Sequence, residues 1–91
     1  MTLKEIFKLK PRFVTRQVGN ELVLVPIETN VANMNELFTM NSTASLIWNS
    51  INDSNTEEDI VNLLVKEFDI DRETALVDLT SFTESIGKVM R

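Results

Sequence analysis

With 91 residues, 43% of them hydrophobic, the chain fits one ordinary globular domain and leaves no room for a second core. It has no Cys and no His, which removes disulfides, thiolate nucleophiles, Cys or His metal sites and the usual general base near neutral pH. The net charge of −5 is unevenly spread: residues 1–18 carry Lys4, Lys8, Lys10, Arg12 and Arg16 against Glu5 alone, leaving −9 for the rest. That balance argues against a broad nucleic-acid surface, because phosphate affinity comes from clustered Lys and Arg.

The N-terminal stretch MTLKEIFKLKPRF has charges interrupting its apolar residues, so it lacks the apolar run of a signal peptide. No segment approaches the roughly 20 apolar residues that span a bilayer. The default expectation is a cytoplasmic, non-membrane protein whose basic N-terminal stretch is a solvated face. After Pro11, Phe13 to Val18 is rich in strand-favouring residues, and Glu21 to Ile27 is strongly apolar. Gly19-Asn20 between them reads as a two-residue hairpin loop, with Gly supplying a positive φ. Pro26 limits the second strand to an edge-compatible end.

Thr29 to Asn35 is polar, with Asn30, Asn33 and Asn35, and reads as a connection. A short third strand is expected at Glu36 to Met40, with Phe38 and Met40 on one face and Leu37 and Thr39 on the other. Asn41, Ser42 or Thr43 can cap a helix with a side-chain oxygen. Within that helix Ala44, Ile47, Trp48 and Ile51 form one apolar stripe, which makes Trp48 a core residue. Its truncation to Ala is expected to cost roughly 3–5 kcal/mol.

Asn52, Asp53, Ser54 and Asn55 end the first helix. Thr56 and Asp59 have the spacing of a capping box, and Glu57 and Glu58 suit the positive end of the helix dipole. The second helix then buries Ile60, Leu63, Leu64 and Phe68, flanked by Val61 and Val65. Asp71 caps a third helix, where Ala75, Leu79, Phe82 and Ile86 recur at core spacing until Gly87 closes it. Three strands followed by three helices, with no strand-helix-strand alternation, predict an α+β fold. A winged-helix-like arrangement of a three-stranded antiparallel sheet and three helices, as a single domain over residues 1–91, satisfies that pattern.

Catalytic chemistry finds little footing. The acidic clusters Glu57-Glu58-Asp59 and Asp69, Asp71 and Glu73 lack the alternating oxygens and turn glycine of a calcium loop, and capping accounts for both. With no Gly between residues 20 and 86, no phosphate-cradling loop is present. Ser42, Thr43, Ser45 and Ser50 have no His to activate them. These readings predict a binding domain that is not an enzyme and uses no metal or cofactor.

The run Phe38-Thr39-Met40-Asn41-Ser42-Thr43-Ala44-Ser45-Leu46-Ile47-Trp48 resembles the PqqD family, typified by an apolar residue and Asn ending the third strand, a small-residue helix start and Ile-Trp. Thr56-Glu57-Glu58-Asp59-Ile60, Phe68-Asp69-Ile70-Asp71, Phe82 and Gly87 extend the similarity over residues 13–90. Ala44 stands where the family often has Gly, and Asn52-Asp53-Ser54 lacks its common Asp-Gly. The resemblance implies a non-catalytic peptide chaperone, a precursor-peptide recognition element for ribosomally made, modified peptides. Such proteins bind the leader segment as an added strand and deliver it to a modifying enzyme, which in the founding pyrroloquinoline quinone pathway is a radical S-adenosylmethionine protein.

On that reading the peptide adds at Leu37, Phe38, Thr39 and Met40, because an unpaired strand edge offers main-chain donors and acceptors. Leu76, Thr80 and Thr83, at four- and seven-residue spacing beside the core stripe, line the groove. The alternatives are a winged-helix nucleic-acid binder and a structural homodimeric subunit hinged at Thr29 to Asn35. The first predicts salt-sensitive duplex binding and the second a concentration-dependent oligomeric state, against a monomer for a simple chaperone.

Overall fold

The computed structural model describes residues 1–27 and 38–90. In chain order they form α1 (Leu3–Leu9), one 3-10 turn (Lys10–Arg12), β1 (Phe13–Val18), β2 (Glu21–Pro26), β3 (Phe38–Met40), α2 (Ser42–Ser50), α3 (Glu57–Phe68) and α4 (Arg72–Met90). The connection expected at Thr29 to Asn35, and Glu36 and Leu37 of the expected third strand, lie outside the described residues. The sheet is antiparallel in the order β1-β2-β3, so the class is the α+β expected, with four helices where three were predicted.

The extra helix is α1, in the stretch expected to be a solvated basic face. Thr2 and Glu5 form a capping box at its start, and Ile6 is completely buried. Seven residues are too few for a helix to persist alone in water, so α1 owes its existence to Ile6 entering the core. The alternation of lysines with apolar residues hid that single anchor. Lys10, at the end of α1, is also not a free surface charge. Its Nζ donates to the carbonyls of Trp48 (2.8 Å) and Ile51 (2.9 Å) and lies 4.9 Å from the centre of the Trp48 ring. It thus closes the negative end of α2. Burial holds its ammonium below the usual 10.5.

In the β1-β2 hairpin Val18 faces Glu21 and Phe13 faces Pro26. Gly19 has φ +61°, and Asn20 does not share the positive sign, the pattern of a type II′ turn with Gly first. Pro26 closes β2 beyond Leu22 to Leu24, the stretch that pairs with the described residues of β3. Strand pairing sorts the two faces of the sheet. Leu22 lies opposite Met40 and Leu24 opposite Phe38 on the helix-facing side, while Val23 lies opposite Thr39 on the outer side. Accordingly Leu24 and Met40 are fully buried and Thr39 is exposed.

The helices α2 and α4 bury the faces their periodicity predicted, whereas in α3 Ile60 and Leu64 enter the core together with Val61, and Leu63, expected to be buried, is 39% exposed. Asn41 is the residue that caps α2, accepting from the Ala44 amide at 2.9 Å. Ile47, Trp48 and Ile51 enter the core, Trp48 at 5% exposure. Thr56 and Asp59 form the expected capping box of α3, and Asp69 ends that helix in the left-handed conformation, φ 52°, which Asp tolerates better than most side chains. Asp71 caps α4 through the Thr74 amide at 2.7 Å. The Thr74 hydroxyl first, and that amide bond second, hold its carboxyl below the ordinary 3.8.

Arg72 then ties α4 to α3 through Glu58 (2.7 Å) and Asn62 (3.0 Å). Gly87 does not close α4, which runs on to Met90; its absent side chain sits instead against Met1 at the start of the chain. Among the described residues no helix is long and apolar enough to cross a membrane.

Candidate functional site

A groove of about 720 Å³ opens along the outer edge of β3. Three things build it. The strand contributes Phe38 and Thr39, the start of α2 contributes Asn41 to Ala44 with Ile47 beneath, and α4 contributes Asp78, Ser81, Phe82 and Ser85. Asn20 and Glu21 of the hairpin close one end.

The site is positioned by ordinary packing. Met40 is completely buried beside Leu22, which pins the three-residue strand to the core and fixes its alternation. Phe38, one step of that alternation away, is half-buried, and its ring meets Phe82 edge to face with centroids 6.0 Å apart and planes at 80°. Such a pair contributes about 0.5–1.5 kcal/mol beyond its buried area and forms a rigid apolar floor. Ser81 and Ser85 flank Phe82 with small side chains, so the helix wall does not reach across to the strand. β3 pairs with β2 on one side, and no described strand pairs with it on the other. The edge therefore turns main-chain amides and carbonyls towards the groove.

Phe38 and Thr39 line the groove, whereas Met40 is completely buried and absent from that lining, and Leu37 lies outside the described residues. The helical wall differs from the expected stripe. Leu76, Thr80 and Thr83 are not among the residues lining the groove. Leu76, 49% exposed, borders a separate hollow with Glu57, Val61, Arg72 and Glu73. The hydroxyls of Thr80 and Thr83 donate back to the Leu76 and Thr80 carbonyls of their own helix. A core stripe has two flanks, and sequence spacing does not say which one faces the sheet; the flank facing β3 carries Asp78, Ser81 and Ser85. Phe82 was assigned to the core and serves both roles, and the serines on either side of it were the available signal.

The model of the family described as "Coenzyme PQQ synthesis protein D (PqqD)" matches residues 21–88, well over half of the chain. Among solved structures, the chain is similar to the protein in "TbiB1 in Complex with the TbiA(beta) Leader Peptide", with a TM-score of 0.65 and 25% identity over 85% of this chain and 84% of that one. No curated protein matches the sequence.

Proposed function

This chain belongs to the PqqD family, and from that premise we propose that it is a non-catalytic chaperone that binds the leader segment of a ribosomally made precursor peptide in the groove beside β3. The observation that carries the proposal is the edge of β3 that no described strand pairs, facing α4 across the groove, in a fold similar to one solved with a leader peptide bound. β1 also has an outer edge, but the groove is lined by β3 and not by β1. At β3 the main chain supplies hydrogen bonds independent of the peptide's sequence, and the Phe38–Phe82 floor selects alternate side chains. A bound leader would leave the rest of the precursor outside the domain, within reach of a modifying enzyme.

The test is a titration of the isotopically labelled full chain with the leader of a precursor peptide encoded beside it, followed through backbone amides. Amides of Thr39 to Asn41 and of Ser81 to Ser85 should shift together. Ser85→Trp, which fills the groove from an exposed position, should abolish binding with an unchanged melting temperature, while Leu76→Glu should leave affinity intact. Shifts confined to other surfaces, or binding that survives Ser85→Trp, would remove this site.

A further inference from the structure

The groove is electrostatically one-sided. Its described lining contains two carboxylates, Glu21 on the sheet side and Asp78 on the helix side, and no Lys or Arg. Within that lining the opposing feature is the start of α2, equivalent to roughly half a positive charge, and Asn41 already accepts from the Ala44 amide there. Half a charge does not cancel two. Arg72, at the start of the helix that bears Asp78, is engaged with Glu58 and Asn62 on the α3 side.

Building on the peptide-binding reading, we propose that Glu21 and Asp78 are specificity-determining residues that make the groove select a cationic segment: an extended peptide with an aliphatic or aromatic anchor and Lys or Arg nearby. Strand geometry fixes the spacing. Val23 lies opposite Thr39 on the outer side of the sheet, and Glu21, two residues before Val23, projects from that same side. In an added strand, the side chain resting on Phe38 and Phe82 points inward, and the one opposite Thr39, one residue away, points outward. So does the one three residues away, level with Glu21, which lies one step beyond the Leu22–Met40 pair. A cation three residues from the anchor is therefore the one level with Glu21. One two residues away stays on the inner side, towards Asp78.

Both carboxylates retain contact with water, so each pairing changes affinity modestly, about twofold to fivefold in Kd. Charge here discriminates among leaders and speeds encounter, while main-chain pairing and the apolar anchor supply most of the affinity.

A random linear peptide library selected on the full chain at low salt tests this, with binders located by amide shifts at β3 and α4. Groove binders should be enriched in Lys or Arg at two or three residues from an apolar anchor and depleted in Asp and Glu. Asp78→Asn and Glu21→Gln, which preserve size, should each weaken them about twofold to fivefold. Replacing the matching peptide Lys by Gln should erase the effect of the protein substitution. Groove binders without such enrichment, or indifferent to both substitutions, overturn the charge selection and leave peptide binding standing. A selection yielding no peptide that moves β3 amides overturns both.

Discussion

At the scale of single residues, Lys10 shows how a charge joins a core. Its ammonium meets two carbonyls at the end of α2 and the face of the Trp48 ring, interactions that favour the charged form, while burial lowers its pKa. A charged hydrogen bond contributes more than a neutral one, but desolvation offsets part of that gain. Lys10→Met keeps the aliphatic stem against Trp48 and removes only the donors, so it should cost about 1 kcal/mol. Urea unfolding read through Trp48 fluorescence measures it, since Trp48 is the chain's one tryptophan and is buried. An unchanged midpoint would mean that water satisfies those carbonyls equally well. Nothing in the sequence marked Lys10 apart from Lys4 and Lys8, because its partners lie 38 and 41 residues away.

At the scale of elements, periodicity and capping chemistry made α2, α3 and α4 legible: Thr56 with Asp59, and Asp71 before Thr74, are caps whose spacing alone identifies them. The hairpin was legible for the same reason, since Gly19 supplies the positive φ that its turn requires. What local pattern could not supply was long-range. A short helix held by Ile6, and the flank of α4 that faces β3, are set by partners elsewhere in the chain. Gly87 belongs to this group.

A glycine near the end of a helical pattern reads as a terminator, yet α4 continues past it, and a methyl group there would stand 3.4 Å from the Met1 side chain, an ordinary contact. Gly87→Ala should therefore stabilise the protein by about 0.5–1 kcal/mol, the helix-propensity difference, raising the urea midpoint. Gly87→Leu needs space that Met1 occupies and should lower it. Stabilisation by both substitutions would show that α1 does not pack against α4 in solution.

At the scale of the whole molecule, the principal extents of 40 × 28 × 18 Å describe a thin body, one sheet layer beneath helices. Among the described residues the outer side of the sheet stays open, with Val14 47% and Val18 62% exposed. A body this thin has a small core, and a ligand that bridges its two layers contributes a large fraction of total stability. A peptide lying between β3 and α4 does so, and it loses its site when either layer separates. Linkage then sets the size of the effect. At a free concentration one hundred times Kd, a ligand specific for the folded state stabilises it by about 2.7 kcal/mol. For a domain of this size that corresponds to roughly 10–20 °C in melting temperature.

Duplex DNA at the same concentration and physiological salt should produce no shift, because the surface beyond residue 18 carries a net −9. Differential scanning fluorimetry with a groove-binding leader and with DNA makes the comparison in one plate. A shift with DNA and none with the leader would favour the nucleic-acid alternative and remove the chaperone reading. The expected result, a saturable rise with the leader that Ser85→Trp abolishes, ties the stability of the whole fold to one strand edge.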